Sequence, residues 1–237
     1  MIHLGNYNDV LQDVRADLIF TSPPYNIGSK APRQDGFRRS GKFDPKSYGA
    51  IHDYPDDLPE SIYQQQQIDF FHWAASHITI NGTLVYNHKP RRKDGQMIHP
   101  AEWFLKVREL SLREEIIWDR GSTHNHGRNL MWPQTERLYV FSRSDGRYCL
   151  NNNKKLSYRS DVWRINRARG NGHNAPFPSE LANSVIETWS NHGQLVCDPF
   201  SGSGTTARVA LALGRRFVGA EIMPKYKQLA DDLMPMI

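Results

Sequence analysis

The sequence predicts an α/β sandwich around a mainly parallel sheet, and three observations carry that expectation. Seven short apolar runs alternate with segments of helical periodicity along the 237 residues. One unit, Gln194 to Glu221, reads strand, glycine turn, helix, strand and then an acidic residue. Another run, Ala16 to Phe20, is followed closely by Pro23 and Pro24, neither of which has an N–H for a strand ladder.

Taken in order, Ile2-His3-Leu4 is the first expected strand and Asp17 to Phe20 the second. A long loop containing Gly and Pro covers Asn26 to Leu58. Pro59 opens a helix to about Ile80, closed by an Asn81-Gly82 turn, and Thr83 to Asn87 is the third strand. Pro100 opens a helix to about Leu110. Leu112 to Trp118 and Glu136 to Phe141 are strands with no clear helix between them, so an antiparallel hairpin is expected there. A basic stretch runs on to Gly170. Pro178 to Ser190 is helical, with Leu181, Val185, Ile186 and Trp189 on one face. Gln194 to Cys197 is a strand, Thr205 to Leu213 a helix ending at Gly214, Arg216 to Ala220 a strand, and Pro224 to Leu233 the last helix. The whole chain, 1–237, reads as a single domain.

The hydrophobic content of 38% and mean hydropathy of −0.66 describe a soluble globular chain with generous polar loops. Its apolar runs are too short to cross a bilayer, so no membrane association is expected. Met1 to Gly5 shows no charged leader followed by an apolar stretch. Cys149 and Cys197 are distant and lie in no metal-ligand spacing, which fits a reduced, cytoplasmic compartment. Net charge is +5 and the isoelectric point near 9.2. The positive charge is gathered in two irregular stretches. The first holds Lys30, Arg33, Arg38, Arg39, Lys42 and Lys46; the second holds Arg143, Arg147, Lys154, Lys155, Arg159, Arg164, Arg167 and Arg169. Tyr148, Tyr158 and Trp163 interleave the second, either to stack on bases or to fill the core. Such stretches point to nucleic acid, with Arg38, Arg39, Lys154, Lys155, Arg159 and Arg164 as the expected phosphate contacts.

The glycine turn Gly202-Ser203-Gly204-Thr205-Thr206-Ala207 satisfies G-x-G-x-x-G/A, with Glu221 near the end of the next strand. Strand, turn and helix in that order form a nucleotide-binding unit; a bare tight turn needing glycine dihedrals is the plainer alternative. No Lys precedes the Thr pair, so this is not a P-loop. A pyrophosphate at the helix N-terminus would sit beside Asp198 and be repelled. An adenosine carrying no phosphate but a cationic sulfonium and ammonium fits better, and S-adenosylmethionine (SAM) meets that description. Asp198 then holds the ammonium, Gly202 and Gly204 let the backbone pass close, and Glu221 chelates the ribose diol.

The corner Ser22-Pro23-Pro24-Tyr25 suits chemistry on an exocyclic base amine, whose lone pair is delocalised into the ring. Two acceptors, the Ser22 side chain and the Pro23 carbonyl, would draw both N–H bonds out of plane and aim the lone pair at a methyl donor. Tyr25 would stack on the extruded base. Because a methylated, cationic amine sheds a proton readily, orientation and electrostatics suffice without a strong general base. The plainer alternative is a rigid turn with Tyr25 in the core.

"DLIFTSPPYNIG" and "CDPFSGSGTT" resemble motifs IV and I of the amino-group DNA methyltransferases. Here the corner precedes the glycine loop, whereas protein-glutamine and many RNA methyltransferases with a similar corner have the reverse order. That order resembles the β class, over nearly the whole chain. The resemblance implies a Rossmann-like, SAM-dependent methyltransferase fold: a seven-stranded, mostly parallel sheet with one antiparallel strand, in circularly permuted motif order. It places the strand at Ile2 beside the strand before Glu221. "NAPFPSEL", Asn174 to Leu181, resembles the segment that cradles the methionine end of SAM. The resemblance thus implies cofactor contacts from Phe177, Pro178, Asp198, Pro199, Phe200, Gly202, Ser203, Gly204, Thr205, Glu221 and Ile222, and from Asn6 where the family often has Asp. The basic stretch 144–172 occupies the slot of the family's target-recognition region, and the loop 26–58 faces DNA. Ser-Pro-Pro-Tyr is usual among N4-cytosine enzymes and Asp-Pro-Pro-Tyr among N6-adenine enzymes, so cytosine N4 in duplex DNA is the expected target and adenine N6 the alternative. C5 chemistry is disfavoured, since neither cysteine sits in a Pro-Cys loop. A catalytically silent SAM- and DNA-binding protein and a dinucleotide oxidoreductase are the readings from other classes. A prokaryotic or phage setting, a cognate restriction endonuclease sharing the site and a homodimer are further expectations of the resemblance.

Overall fold

A computed structural model describes residues 1–27, 56–122, 131–148, 150–151, 159–167 and 177–234. Strand β1 (Ile2–Leu4) leads to a single helical turn, α1 (Tyr7–Val10), capped by the Asn6 side chain, and to β2 (Ala16–Thr21). Helix α2 (Glu60–His77) buries Tyr63, Gln67, Phe70, Phe71 and Ala74, a single face at helical spacing. Strand β3 (Ile78–His88), the small hairpin β4 (Arg91–Lys93) and β5 (Gln96–Ile98), and α3 (Ala101–Phe104) follow. Next come β6 (Leu110–Asp119), β7 (Thr135–Arg143) and β8 (Val162–Arg164). The chain then alternates α4 (Ser179–Trp189), β9 (Leu195–Asp198), α5 (Thr205–Ala212), β10 (Arg216–Glu221) and α6 (Pro224–Leu233).

Among the described residues the main sheet has eight strands in the order β1-β10-β9-β2-β3-β7-β6-β8. All seven expected strands are in it, β1 pairs with β10 as the resemblance implied, and β7 alone runs antiparallel to its neighbours. The eighth, β8, extends the sheet beyond β6 from inside the basic stretch 144–172.

Alternation along the strands divides the core in two. Leu18, Phe20, Val85, Leu138 and Val140 face one way, onto α4, α5 and α6. Ile19, Leu84, Tyr86, Tyr139 and Phe141 face the other way, onto α2 and α3. With helices on both faces, the strands read as near-continuous apolar runs. Among the described residues no helix is long and apolar enough to cross a membrane.

Two local expectations need correction. The helix after Pro100 is one turn long: bonds from Lys106 N–H to Trp103 and from Val107 N–H to Phe104 tighten the spacing to three residues, and Trp103, Phe104 and Val107 are all buried. The second concerns Asn81-Gly82, which does not close α2. Helix α2 ends at His77, and the pair lies in an irregular part of β3, where the register against β2 shifts between Ala16 and Leu18.

Candidate active site

Strands β1, β10, β9, β2 and β3 run parallel, so their carboxyl ends share one edge of the sheet. Chain direction reverses outward from the central pair β9 and β2: β9 leads through α5 to β10 on one side, and β2 through α2 to β3 on the other. A crevice at such a switch point is where open α/β sheets bind ligands. The corner leaves β2 and the glycine turn leaves β9 at this point, so residues 177 positions apart meet: Thr21 Oγ1 donates to Asp198 Oδ1 at 2.7 Å.

Asp198 is the knot of the site. Its Oδ1 also accepts from the Phe200 N–H at 3.2 Å, and its Oδ2 from Thr206 Oγ1 at 2.6 Å. It is 1% exposed, and burial raises its carboxyl from the ordinary 3.8 to about 6, against the pull of the two threonine hydroxyls. Among the described residues the buried carboxylate is thus held by three internal donors and bridges β2 and α5.

Glu221 closes the glycine turn from β10. Its Oε2 accepts from Gly202 N–H and its Oε1 from Met223 N–H, each at 2.8 Å. Burial raises its carboxyl, and the bonds from Met223, Gly202 and Ile222 oppose that. Gly204 caps α5 in the left-handed region, at φ 76°. At Gly219 on β10 a Cβ would stand 2.2 Å from Ser201 Oγ, so only glycine lets the turn lie against the strand. Arg208 reaches back to the Ser203 carbonyl at 2.6 Å and to Thr205 Oγ1 at 3.4 Å. Pro199 is buried, and the Phe200 ring makes edge contacts with Tyr7 and Phe70. Ile222 is half-exposed just past Glu221. Pro178 caps α4, and Phe177 packs its ring on Phe20 at 4.9 Å. Asn6 is exposed, one residue past the Gly5 N–H that bonds the Glu221 carbonyl.

At the corner, Pro23 is buried and Ser22, Pro24 and Tyr25 are partly exposed. The Pro24 carbonyl accepts from Tyr63 Oη at 2.9 Å, whereas among the described residues no donor is aimed at the Pro23 carbonyl. Tyr63 Oη also meets His88 Nε2 at 2.8 Å, and burial lowers His88 to about 3, so its ring is neutral. The Tyr25 ring lies 4.4 Å from His88, and its hydroxyl is 3.0 Å from Ser22 Oγ. That hydroxyl is the hub of a polar cluster with Asn87 at the end of β3 and Glu136 at the start of β7. Burial, reinforced by the Glu136 charge, pushes the Tyr25 phenol well above its usual range.

The chain after Tyr25 is also anchored. Asn26 exchanges side-chain bonds with the Leu58 N–H and carbonyl, and Asp56 accepts from the N–H groups of Asn26 and Ile27. Arg91, buried against the Tyr63 and Trp103 rings, pairs with Glu60 at 2.7 Å.

Sequence reasoning missed Thr21, Tyr63, Asn87, His88, Arg120, Glu136 and Thr206. The available signal was polar residues at the ends of apolar strands, in "LVYNH" and "TERLYVF". Of the expected DNA contacts, Arg159 is exposed just before β8 and Arg164 at its end, where Arg164 lies 4.0 Å from Asp119. Arg38, Arg39, Lys154 and Lys155 lie outside the described residues, as do Tyr158, Cys149 and most of the loop 26–58. Trp163 and Tyr148 belong to the core: Trp163 stacks on Trp189 at 5.9 Å, and Trp189 donates to Tyr148 Oη.

Comparison with known proteins places this geometry. The profile of the N6/N4 methyltransferase family, described as DNA methylase, matches residues 16–232. DNA adenine methyltransferase YhdJ of Escherichia coli is 26% identical over 89% of this chain and 73% of its own length. The orphan methyltransferase M.BamHII of Bacillus amyloliquefaciens is 38% identical over 87 residues, and the match spans only 33% of that relative. Among solved structures, the PvuII DNA methyltransferase (cytosine-N4-specific) superposes with a TM-score of 0.74 at 18% identity, covering 97% of this chain and 84% of that one. A DNA modification methylase of Thermus thermophilus, solved with SAM, gives 0.66 at 24% identity, covering 98% and 91%.

Proposed function

This chain belongs to the N6/N4 DNA methylase family, and from that membership we propose that it methylates the exocyclic N4 amine of a cytosine flipped out of duplex DNA, using SAM. The observation that carries the reading is the juxtaposition of the Ser22–Tyr25 corner with the glycine turn, locked by the Thr21–Asp198 bond.

The donor set suits SAM. Glu221 retains accepting capacity beyond its backbone donors for a ribose hydroxyl, Gly202 has open space where a Cβ would project, and half-exposed Ile222 offers an apolar surface to a purine. Phe177, Pro178, Pro199, Phe200, Ser203, Gly204 and Thr205 complete the cradle in this reading. Asp198 acts there by holding the turn in shape. When bound, SAM supplies an electrophilic methyl group. Ser22 Oγ and the Pro23 carbonyl accept the two amine N–H bonds and turn the lone pair out of the base plane. The Pro24 carbonyl already accepts one bond from Tyr63, whereas among the described residues no donor is aimed at the Pro23 carbonyl, which supports Ser22 and Pro23 as the acceptor pair. The Tyr25 ring stacks on the flipped base, which helps to offset an extrusion cost of a few kcal/mol. Arg159 and Arg164, flanking β8, contact phosphate.

Cytosine is preferred because the corner begins with Ser22, and the cytosine-N4 specificity named for the PvuII neighbour supports that. Adenine N6 is the second reading, favoured by the YhdJ relative, a DNA adenine methyltransferase. Incubation with duplex DNA and methyl-labelled SAM, followed by nucleoside digestion and mass spectrometry, tests both. N4-methylcytosine is the expected product. N6-methyladenine moves the assignment to the second reading, and unlabelled DNA overturns the function.

A further inference from the structure

We propose that Glu136 is a positioning residue for this transfer: acting through the Tyr25 hydroxyl, it holds Ser22 as a hydrogen-bond acceptor toward the target amine. The inference rests on the reading above and adds a residue from β7, more than a hundred positions from the corner.

A serine hydroxyl both donates and accepts, so Ser22 serves an amine only if its own proton is directed elsewhere. A carboxylate at that position needs no such help. The cluster around Tyr25 settles the direction. Tyr25 Oη has one proton and lies 3.1 Å from Glu136 Oε2, 3.0 Å from Ser22 Oγ and 3.1 Å from Asn87 Nδ2, with the neutral acceptor Asn87 Oδ1 farther away at 3.3 Å. Glu136 Oε1 is paired with Arg120 Nη1 at 2.8 Å, and Arg120 is itself fixed by the Pro133 and Gln134 carbonyls. Among the described residues the carboxylate is thus the one acceptor bearing charge within reach of the phenol, and charge-assisted bonds are roughly twice as strong as neutral ones. It also accepts from Asn87 Nδ2 at 3.1 Å, which turns the amide N–H groups toward both Glu136 and the Tyr25 oxygen.

With the tyrosine proton drawn to Glu136, the Tyr25 oxygen is left as an acceptor. Ser22 therefore donates to it, and the Ser22 lone pairs face the cleft. Without the charge, the phenol proton can turn to Ser22 instead, and the serine proton then points at the amine's own N–H groups. Sheet geometry makes the arrangement possible. β7 runs antiparallel, so its first residues lie at the same edge as the last residues of β3 and β6, which bring Asn87 and Arg120.

The test compares wild type, Glu136→Gln, Tyr25→Phe and the double variant. In Glu136→Gln, kcat is expected to fall about ten- to a hundredfold, less than the roughly 10²–10³ lost when an oriented group at the reacting centre itself is removed, because Glu136 acts through Tyr25. Kd for SAM, by calorimetry, stays within about twofold. In the Tyr25→Phe background the link is already cut, so Glu136→Gln costs little more. An equal cost in both backgrounds, or an unchanged kcat in Glu136→Gln, overturns the proposal. A second readout needs no turnover: the ¹³Cζ resonance of Tyr25, assigned by its loss in Tyr25→Phe, shifts in Glu136→Gln, and an unmoved resonance overturns the proposal as well. If Glu136→Gln fails to fold, Tyr25→Phe decides alone, since it keeps the ring and removes only the link; full kcat in that variant refutes the role. Wild-type transfer to DNA is measured alongside. Its absence overturns the functional reading and this inference together, whereas its presence with unaffected variants overturns the inference alone.

Discussion

Replacing Thr21 by Val removes the hydroxyl that ties the corner strand to the glycine turn while keeping the side chain's volume. Thr21 is fully buried at the end of β2, and its bond to Asp198 Oδ1 is 2.7 Å long. Once it is gone, Oδ1 retains, among the described residues, the single 3.2 Å bond from the Phe200 N–H. A hydrogen bond to a charged group contributes about 1.5–3 kcal/mol, and this oxygen is buried away from solvent that could replace it, so a loss of about 2 kcal/mol is expected. For a chain of this size each kcal/mol moves Tm by about 2–4 °C, giving a fall of about 4–8 °C. Calorimetric melting above neutral pH, where Asp198 is ionised, measures it. In an Asp198→Asn background the same substitution should cost clearly less, because the charge that strengthens the bond is absent. An unchanged Tm for Thr21→Val, or an equal loss in both backgrounds, refutes the claim that this bond joins the two loops.

Other outcomes follow from the same geometry. Burial raises the Asp198 carboxyl from 3.8 to about 6, so the folded chain holds this proton more tightly than the unfolded one. The associated stability is fully present below about pH 4 and is lost as pH rises through about 6; relative to Asp198→Asn, wild type should lose about 3 kcal/mol between those limits and neutral pH. Denaturant titrations across that window showing a constant difference contradict this. Joint replacement of Arg159 and Arg164 by Ala should lower the slope of log K against log salt for DNA by about 2 and spare SAM binding. Fluorescence anisotropy at several salt concentrations measures it, and an unaltered slope removes β8 from the DNA interface.

Much of the fold was legible because each strand is a short apolar run bounded by Gly, Pro or polar residues, and because Pro23-Pro24 ends β2 unambiguously. The corner and glycine turn were legible as motifs since each is contiguous. β8 was not, because Val162-Trp163-Arg164 is only three residues long and its pairing with β6 depends on a neighbour more than forty positions away. The helix after Pro100 read as longer than it is because periodicity cannot distinguish a continued helix from tight turns that bury Trp103, Phe104 and Val107 together. The cluster around Tyr25 was illegible for a related reason. Asn87, Arg120 and Glu136 come together only through the antiparallel register of β7, which no local pattern specifies. The internal donors of Asp198, among them threonine hydroxyls from β2 and α5, were invisible without the fold.

In the proposed reaction the corner orients an amine rather than merely ending a strand. Ser22→Ala tests it most directly, with kcat for methyl transfer to DNA measured beside the Kd for SAM. The expected result is a fall in kcat of about a hundredfold or more with SAM affinity within about twofold, the signature of an interaction made at the reacting centre. Equal losses in both, or a kcat that survives, contradict it.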